Sequence, residues 1–268
     1  MKSFYLLILC LLPLCLSAQF ETTTLNQYDE LWYQNSLLRA GEEVHTAIRP
    51  YRVSEVQAYD RRLRFLTDSV ADEKGVFPWV KRKVWNEHLF AFSGEGYQVN
   101  INPVIGFMVG TESESVTYDR IYQNSRGVRV EGQLGKQFSF YTTLVETQAR
   151  FAAHIVQFAR GTRIIPGYWL RKSFRDQASD FAYAAGEIAY TPSKFFHFRL
   201  GRGKQFIGEG YRSMLISDNS VNYPFFRIET TIGKLRYVNL WSVMNDIRPE
   251  VELADEVFAR KYFSMHYL

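Results

Sequence analysis

Between residues 208 and 230 the chain gathers Arg212, Asp218, Asn219, Asn222, Tyr223 and Arg227. These are the side chains with which a protein surface holds sugar. Guanidinium, carboxylate and amide groups hydrogen-bond bidentately to ring hydroxyls, and an aromatic face meets the C–H side of the ring. The same residues also admit a structural reading, in which Asp218-Asn219 makes a turn and Arg212 pairs inside the fold to hold a loop. Other chemistries lack their spacing. The histidines His45, His88, His154, His197 and His266 are scattered, and no two stand at the i, i+4 interval with which one helical face grips zinc. Gly201-Arg202-Gly203-Lys204 begins like a phosphate loop, but Gln205 stands where Ser or Thr is needed. No serine sits in a Gly-x-Ser-x-Gly elbow. Lys81-Arg82-Lys83 could touch anionic headgroups or be a solvated helix face. The expectation is a binding protein, not an enzyme, with no cofactor and no metal.

The elements that must position these residues begin behind a leader. Lys2, the apolar stretch Phe4 to Leu16 and the exit Ser17-Ala18-Gln19 read as a secretory signal peptide over residues 1–18. The run is too short for a spanning helix, which needs about 20 residues. Both cysteines, Cys10 and Cys15, fall inside it, so the exported chain is expected to have neither disulfide nor thiolate. A net charge of +4 with basic residues spread along the chain excludes nucleic acid as the expected partner. A hydrophobic fraction of 46% excludes disorder. Aromatics, at 16%, are the outlier and point to a β-rich, surface-active protein.

Residues 19–92 read as a helical, periplasmic segment. One helix is expected from Tyr28 to Ala40. A second opens at the capping box Ser54-Glu55-Val56-Gln57, carries Val56, Tyr59, Leu63, Leu66 and Val70 on one face, and closes at Lys74-Gly75. A third spans Trp79 to Phe90. From residue 93 to 268 the period becomes two. Val99, Ile101, Ile105, Phe107 and Val109 share a face opposite Gln98, Asn100 and Asn102, and similar alternation recurs around Val128–Leu134, Phe138–Leu144, Phe196–Leu200 and Phe226–Ile232. The run from Leu235 to Met244 does not choose a face. Such alternation fits a soluble sandwich with its apolar face inside, or an outer-membrane barrel with that face in lipid. Strands of about ten residues, short turns alternating with long connections, and aromatics near strand ends favour the barrel. About eight strands are countable after Tyr97, so the barrel either closes small or is the first part of a larger one.

The stretch Gly208-Glu209-Gly210-Tyr211-Arg212-Ser213, continuing through Ser217-Asp218-Asn219 to Asn222-Tyr223-Pro224, resembles a segment of Bacteroidetes outer-membrane proteins of the capsule-assembly Wzi family, among them gliding-motility proteins of the RemB type. The resemblance is loose over most of the exported chain and most specific over residues 201–245. It implies an all-β, antiparallel transmembrane barrel of which this chain is the N-terminal half, with N-terminal helices at the periplasmic end. It implies a non-enzymatic role in surface polysaccharide (capsule) attachment or assembly, or in gliding. The partners it implies are outer-membrane lipid, surface polysaccharide and other envelope proteins. The alternatives are a porin or channel, and a secreted soluble β-sandwich lectin.

Overall fold

The computed structural model describes residues 22–23, 25, 27–40, 45–56, 87–113, 118–175, 177–248 and 258–268. The chain is mostly antiparallel β-sheet. Two short helices, α1 (Gln27–Ala40) and α2 (Val53–Val56), flank the two-residue strand β1 (Ile48–Arg49). There follow β2 (Phe90–Gly94), β3 (Tyr97–Thr111), β4 (Arg120–Leu134), β5 (Phe138–Arg150), helix α3 (Ala153–Thr162), β6 (Lys172–Phe174), β7 (Ala178–Tyr190) and β8 (Phe196–Gly203). The last elements are β9 (Phe206–Ile207), β10 (Tyr223–Ile232), β11 (Leu235–Asp246) and β12 (Ala259–Tyr267).

All strands but β1 and β9 form one sheet in the order β12-β11-β10-β8-β7-β5-β4-β3-β2, with β6 beside β7. The sheet is a meander of neighbours, each antiparallel to the next, so successive connections fall alternately at its two ends. Those at one end are short: 95–96, 135–137, 191–195 and 233–234. Gly96, Gly135 and Gly233 turn there with positive φ, where a residue without Cβ meets no steric cost. The connections at the other end, 112–119, 151–177, 204–222 and 247–258, are long. The sheet does not close: β2 and β12 are its two edges, and they do not pair with each other.

The two faces carry opposite chemistry, and their sidedness decides how the alternation is to be read. One register row joins Val99, Gly132, Phe140, Ile188, Leu200, Phe226 and Trp241 across seven strands. Ile188 and Leu200 in that row are 58% and 60% exposed. The adjoining row toward the short turns runs through Tyr97, Leu134, Phe138, Tyr190 and Phe198, with Phe138 stacked on Tyr190 at 4.4 Å. The opposite face holds Gln133, Ser139, Ala189, Arg199 and Arg227 in one row and His197 with Glu229 in another. There the charges are buried and paired, Arg199 with Glu187 at 2.6 Å and Arg227 with Glu229 at 2.6 Å. From mid-sheet to the short turns, apolar residues therefore face outward and the charges face the covered side, while toward the long connections the outward face also carries the exposed Arg126–Glu146 pair and Arg202.

That covered side is closed by the N-terminal segment. Tyr33 and Leu37 of α1 pack with Tyr51 and Val56 into a small buried cluster, and Tyr33 meets Tyr51 edge-on at 6.2 Å. The segment is tied to the sheet by polar contacts: Thr22 donates to Glu187 Oε1 at 2.7 Å, and Arg236 of β11 pairs with Glu55.

Three expectations are refined. Helix α1 starts at Gln27, one residue before the spacing suggests. The expected helical segment 19–92 also holds the short strand β1, and the large sheet begins at Phe90 rather than 93, because Phe90–Gly94 forms a hairpin with Tyr97–Ile101; Phe90 thus belongs to a strand, and residues 79–86 of the expected 79–90 helix lie outside the described residues. Helix α2 already starts at Val53, so Ser54 lies inside it rather than capping it, and residues 57–86, with the rest of the expected helix, lie outside the described ones. The orientation of β11 is now fixed. Arg236, Val238, Leu240 and Ser242 are buried, while Leu235, Tyr237 and Trp241 face out.

Candidate ligand-binding cleft

The six candidate residues do not form one surface. Arg227 lies buried on the charged face of β10, donating to Gln205 Oε1 at 2.6 Å and to the Arg49 carbonyl at 3.5 Å. Arg212 is exposed, its guanidinium 5.6 Å from the centre of the Tyr211 ring, so it holds no loop from within. Asp218 and Asn219 do sit in a turn, with the Ser217 hydroxyl accepting from the Asn219 amide at 3.4 Å. Asn219, Asn222 and Tyr223 are the three that meet in a cavity.

The glycines of the Gly208-Glu209-Gly210 motif have a structural task. Both take positive φ, 136° and 89°, a region open to glycine and costly for other residues. Their carbonyls accept from Arg49 Nη2 at 3.3 and 3.4 Å. The same guanidinium pairs with Glu30 at 3.1 Å and lies 4.0 Å from the centre of the Phe206 ring. β9 pairs with β1, and the Gly208 amide donates to the Ala47 carbonyl at 2.8 Å. The first half of the 204–222 connection therefore folds back over the charged face and clasps the N-terminal segment.

The second half of that connection lines a cleft of ≈ 600 Å³ at the long-connection end of the sheet. Phe158, Ile164, Pro166, Gly167 and Trp169 form one wall. They are held by α3 and the turn after it: Ala159 and Ile165 pack on Ala149 and Phe181, and Tyr168 meets Phe181 at 4.8 Å. The strand ends supply Arg202, Pro224, Val243, Asn245 and Arg260. Arg202 lies 5.8 Å from the Trp169 ring, and Trp169 meets Phe258 edge-on at 5.9 Å.

Polar groups in this wall are left over by the fold. Asn222 Nδ2 donates to the Ala184 carbonyl at 2.8 Å, yet its Oδ1 is buried with no hydrogen-bond partner. Ser220 Oγ is in the same position. The Tyr223 hydroxyl has the Gln205 backbone beside it but no hydrogen bond of normal geometry. Buried polar groups are ordinarily satisfied, and these three atoms lie sealed beneath the cleft wall, whereas Asn219 and Asn245 expose their amides along it. Next to the cleft, burial holds the Lys204 ammonium below its usual range, with the Asp218 charge opposing.

Trp169, Arg202 and Arg260 were not legible as site residues from the sequence. Arg202 stands in the Gly201–Lys204 run, whose spacing bears only on a phosphate loop, and Trp169 and Arg260 lie 53 and 38 residues from Asn222 along the chain, so only the meander brings them together. The one signal was an aromatic pair, Tyr168-Trp169, in a long connection containing Pro166 and Gly167. No protein-family model, no curated protein and no solved structure matches the chain.

Proposed function

We propose that the sheet is wall of an outer-membrane β-barrel and that its long-connection end meets surface polysaccharide, as the resemblance to the Wzi family implies. The role is anchoring and binding, without catalysis. One observation carries the reading: the large apolar side chains face out while arginines and glutamates are buried on the opposite face. A soluble sandwich needs the reverse, because water would meet Ile105, Phe107, Leu144, Ile188 and Leu200. Lipid supplies the missing partner for that face. The aromatic row Tyr97, Phe138, Tyr190 and Phe198 near the short turns suits an interfacial girdle. β3, β4, β5 and β7, with 13 to 15 residues each, exceed the roughly 9–11 that a tilted crossing requires. A channel is favoured less, since the N-terminal segment lies across the charged face that would line it.

The test is migration of the full chain from the outer-membrane fraction of a Gram-negative host, with and without boiling. Outer-membrane recovery and a faster unheated band support the membrane wall. Recovery in the aqueous fraction without detergent sinks it. Comparing retained surface polysaccharide on cells with and without the chain then tests the binding half.

A further inference from the structure

We propose that the cleft at the long-connection end takes one acidic sugar unit, a hexuronate carried in a polysaccharide. The proposal rests on the reading of that end as polysaccharide-binding and adds the chemical class of the unit recognised.

Three observations converge. The first is polar side chains open to the cleft. Asn219 and Asn245 both line it and are exposed, and their amides offer donors and acceptors together. Neighbouring ring hydroxyls, each a donor and an acceptor, are the partners such amides take.

The second is charge. Arg202 and Arg260 both line the cleft, and no carboxylate does so among the described residues. A guanidinium fork matches a carboxylate with two parallel hydrogen bonds, so the bound ring should carry an anion as well as hydroxyls. The third is shape. Trp169 presents an indole between Arg202 and Phe258, a flat apolar plate of the kind on which the C–H face of a sugar lies. The volume, ≈ 600 Å³, falls inside the range of small-ligand sites, roughly 300–1,000 Å³.

A hexuronate answers all three: adjacent hydroxyls for the Asn219 and Asn245 amides, a carboxylate for the arginines, and a C–H face for Trp169. A neutral sugar leaves the arginines unused. A phosphorylated sugar, such as a glycolipid headgroup carries, would use them through a different anion.

Titration calorimetry on the full chain in detergent, with trigalacturonate, maltotriose and glucose 6-phosphate as probes, separates these ligands. Trigalacturonate should bind with an affinity that falls as salt is raised, and maltotriose should bind at least tenfold more weakly. Arg260→Gln removes one charge-assisted contact at an exposed position and should cost about tenfold in trigalacturonate affinity. Trp169→Ala should weaken all sugar binding while the heat-dependent gel shift is kept. Equal binding of maltotriose, tighter binding of glucose 6-phosphate, no binding of any probe, or an Arg260→Gln variant with unchanged affinity would each overturn the proposal. An unchanged gel shift alongside such a result would leave the membrane wall standing.

Discussion

At the scale of single residues, Arg49 does the most. Its guanidinium joins Glu30, the carbonyls of Gly208 and Gly210, and the Phe206 ring. Both members of the Arg49–Glu30 pair are about 5% exposed, so neither charge is solvated if the other is removed. Removing one partner of a buried pair is costly because the remaining charge stays buried. Arg49→Met is therefore expected to destabilise the folded chain by about 3 kcal/mol. It should also make residues 22–56 the first part cut by protease, which limited proteolysis followed by mass mapping reads directly. His45 adds a pH dependence to the same segment. Burial, and then the Arg236 charge, hold its imidazole below the ordinary histidine value, with Glu55 opposing. A lowered folded value means that the unfolded chain binds more protons as pH falls below about 6.5, so this contribution is present above that pH and is lost on acidification. The denaturation midpoint should fall between pH 7.5 and 5.5, and it should fall less in His45→Gln. An identical fall in both would remove His45 as the cause.

At the scale of elements, close strand approach depends on particular glycines. A Cβ on Gly127 would run into the Leu144 carbonyl and the Val145 backbone of the neighbouring strand. Since backbone atoms cannot swing aside, Gly127→Ala should cost about 1–3 kcal/mol by overpacking. Gly135→Ala serves as the comparison, because its Cβ would meet nothing and only its φ of 63° opposes it. Urea titration of both variants, with Gly127→Ala the worse, would check the strand contact. The elements were legible in proportion to how cleanly their faces differ. β3, β8 and β10 alternate apolar with polar residues and were readable from that period. β11 was not, because both of its faces carry apolar residues: Val238 and Leu240 are buried inside, and Tyr237 and Trp241 face out. Helix α3 was not expected, and β1 and β9 are too short for any period to register. The distinctive Gly208–Ser213 run was visible at once, but its task was not. Arg49, the group its carbonyls bind, lies 159 and 161 residues away. Of the cleft, the sequence offered Asn219, Asn222 and Tyr223 and withheld Trp169, Arg202 and Arg260, since a contact made across a sheet leaves no local trace.

At the scale of the whole molecule, the question is which solvent the exposed apolar face is built for, and one substitution can ask it. Leu144 stands near the middle of β5, 53% exposed, in a register row with Pro103, Val128 and Ala184. In a water-soluble protein a charged residue at so exposed a site changes stability by roughly 0.5 kcal/mol or less. On the lipid side of a barrel, near the bilayer midplane, an arginine costs about 2–4 kcal/mol, falling toward zero near the interfaces. The Arg126–Glu146 pair gives an internal reference. It lies two residues along the same strands toward the long connections, with side chains 59% and 53% exposed, and its two opposite charges are paired at 3.2 Å, unlike a lone arginine at 144. Leu144→Arg should therefore destabilise the chain in lipid vesicles by about 2 kcal/mol or more. Arg126→Leu with Glu146→Leu removes both charges together and should be neutral or stabilising, because replacing a pair held out of water by apolar side chains also removes its desolvation cost. Denaturant titration in vesicles measures both. A Leu144→Arg effect as small as that of the double variant would mean that the face does not lie in the hydrocarbon, and the barrel wall would have to be given up in favour of a protein partner covering the same apolar rows.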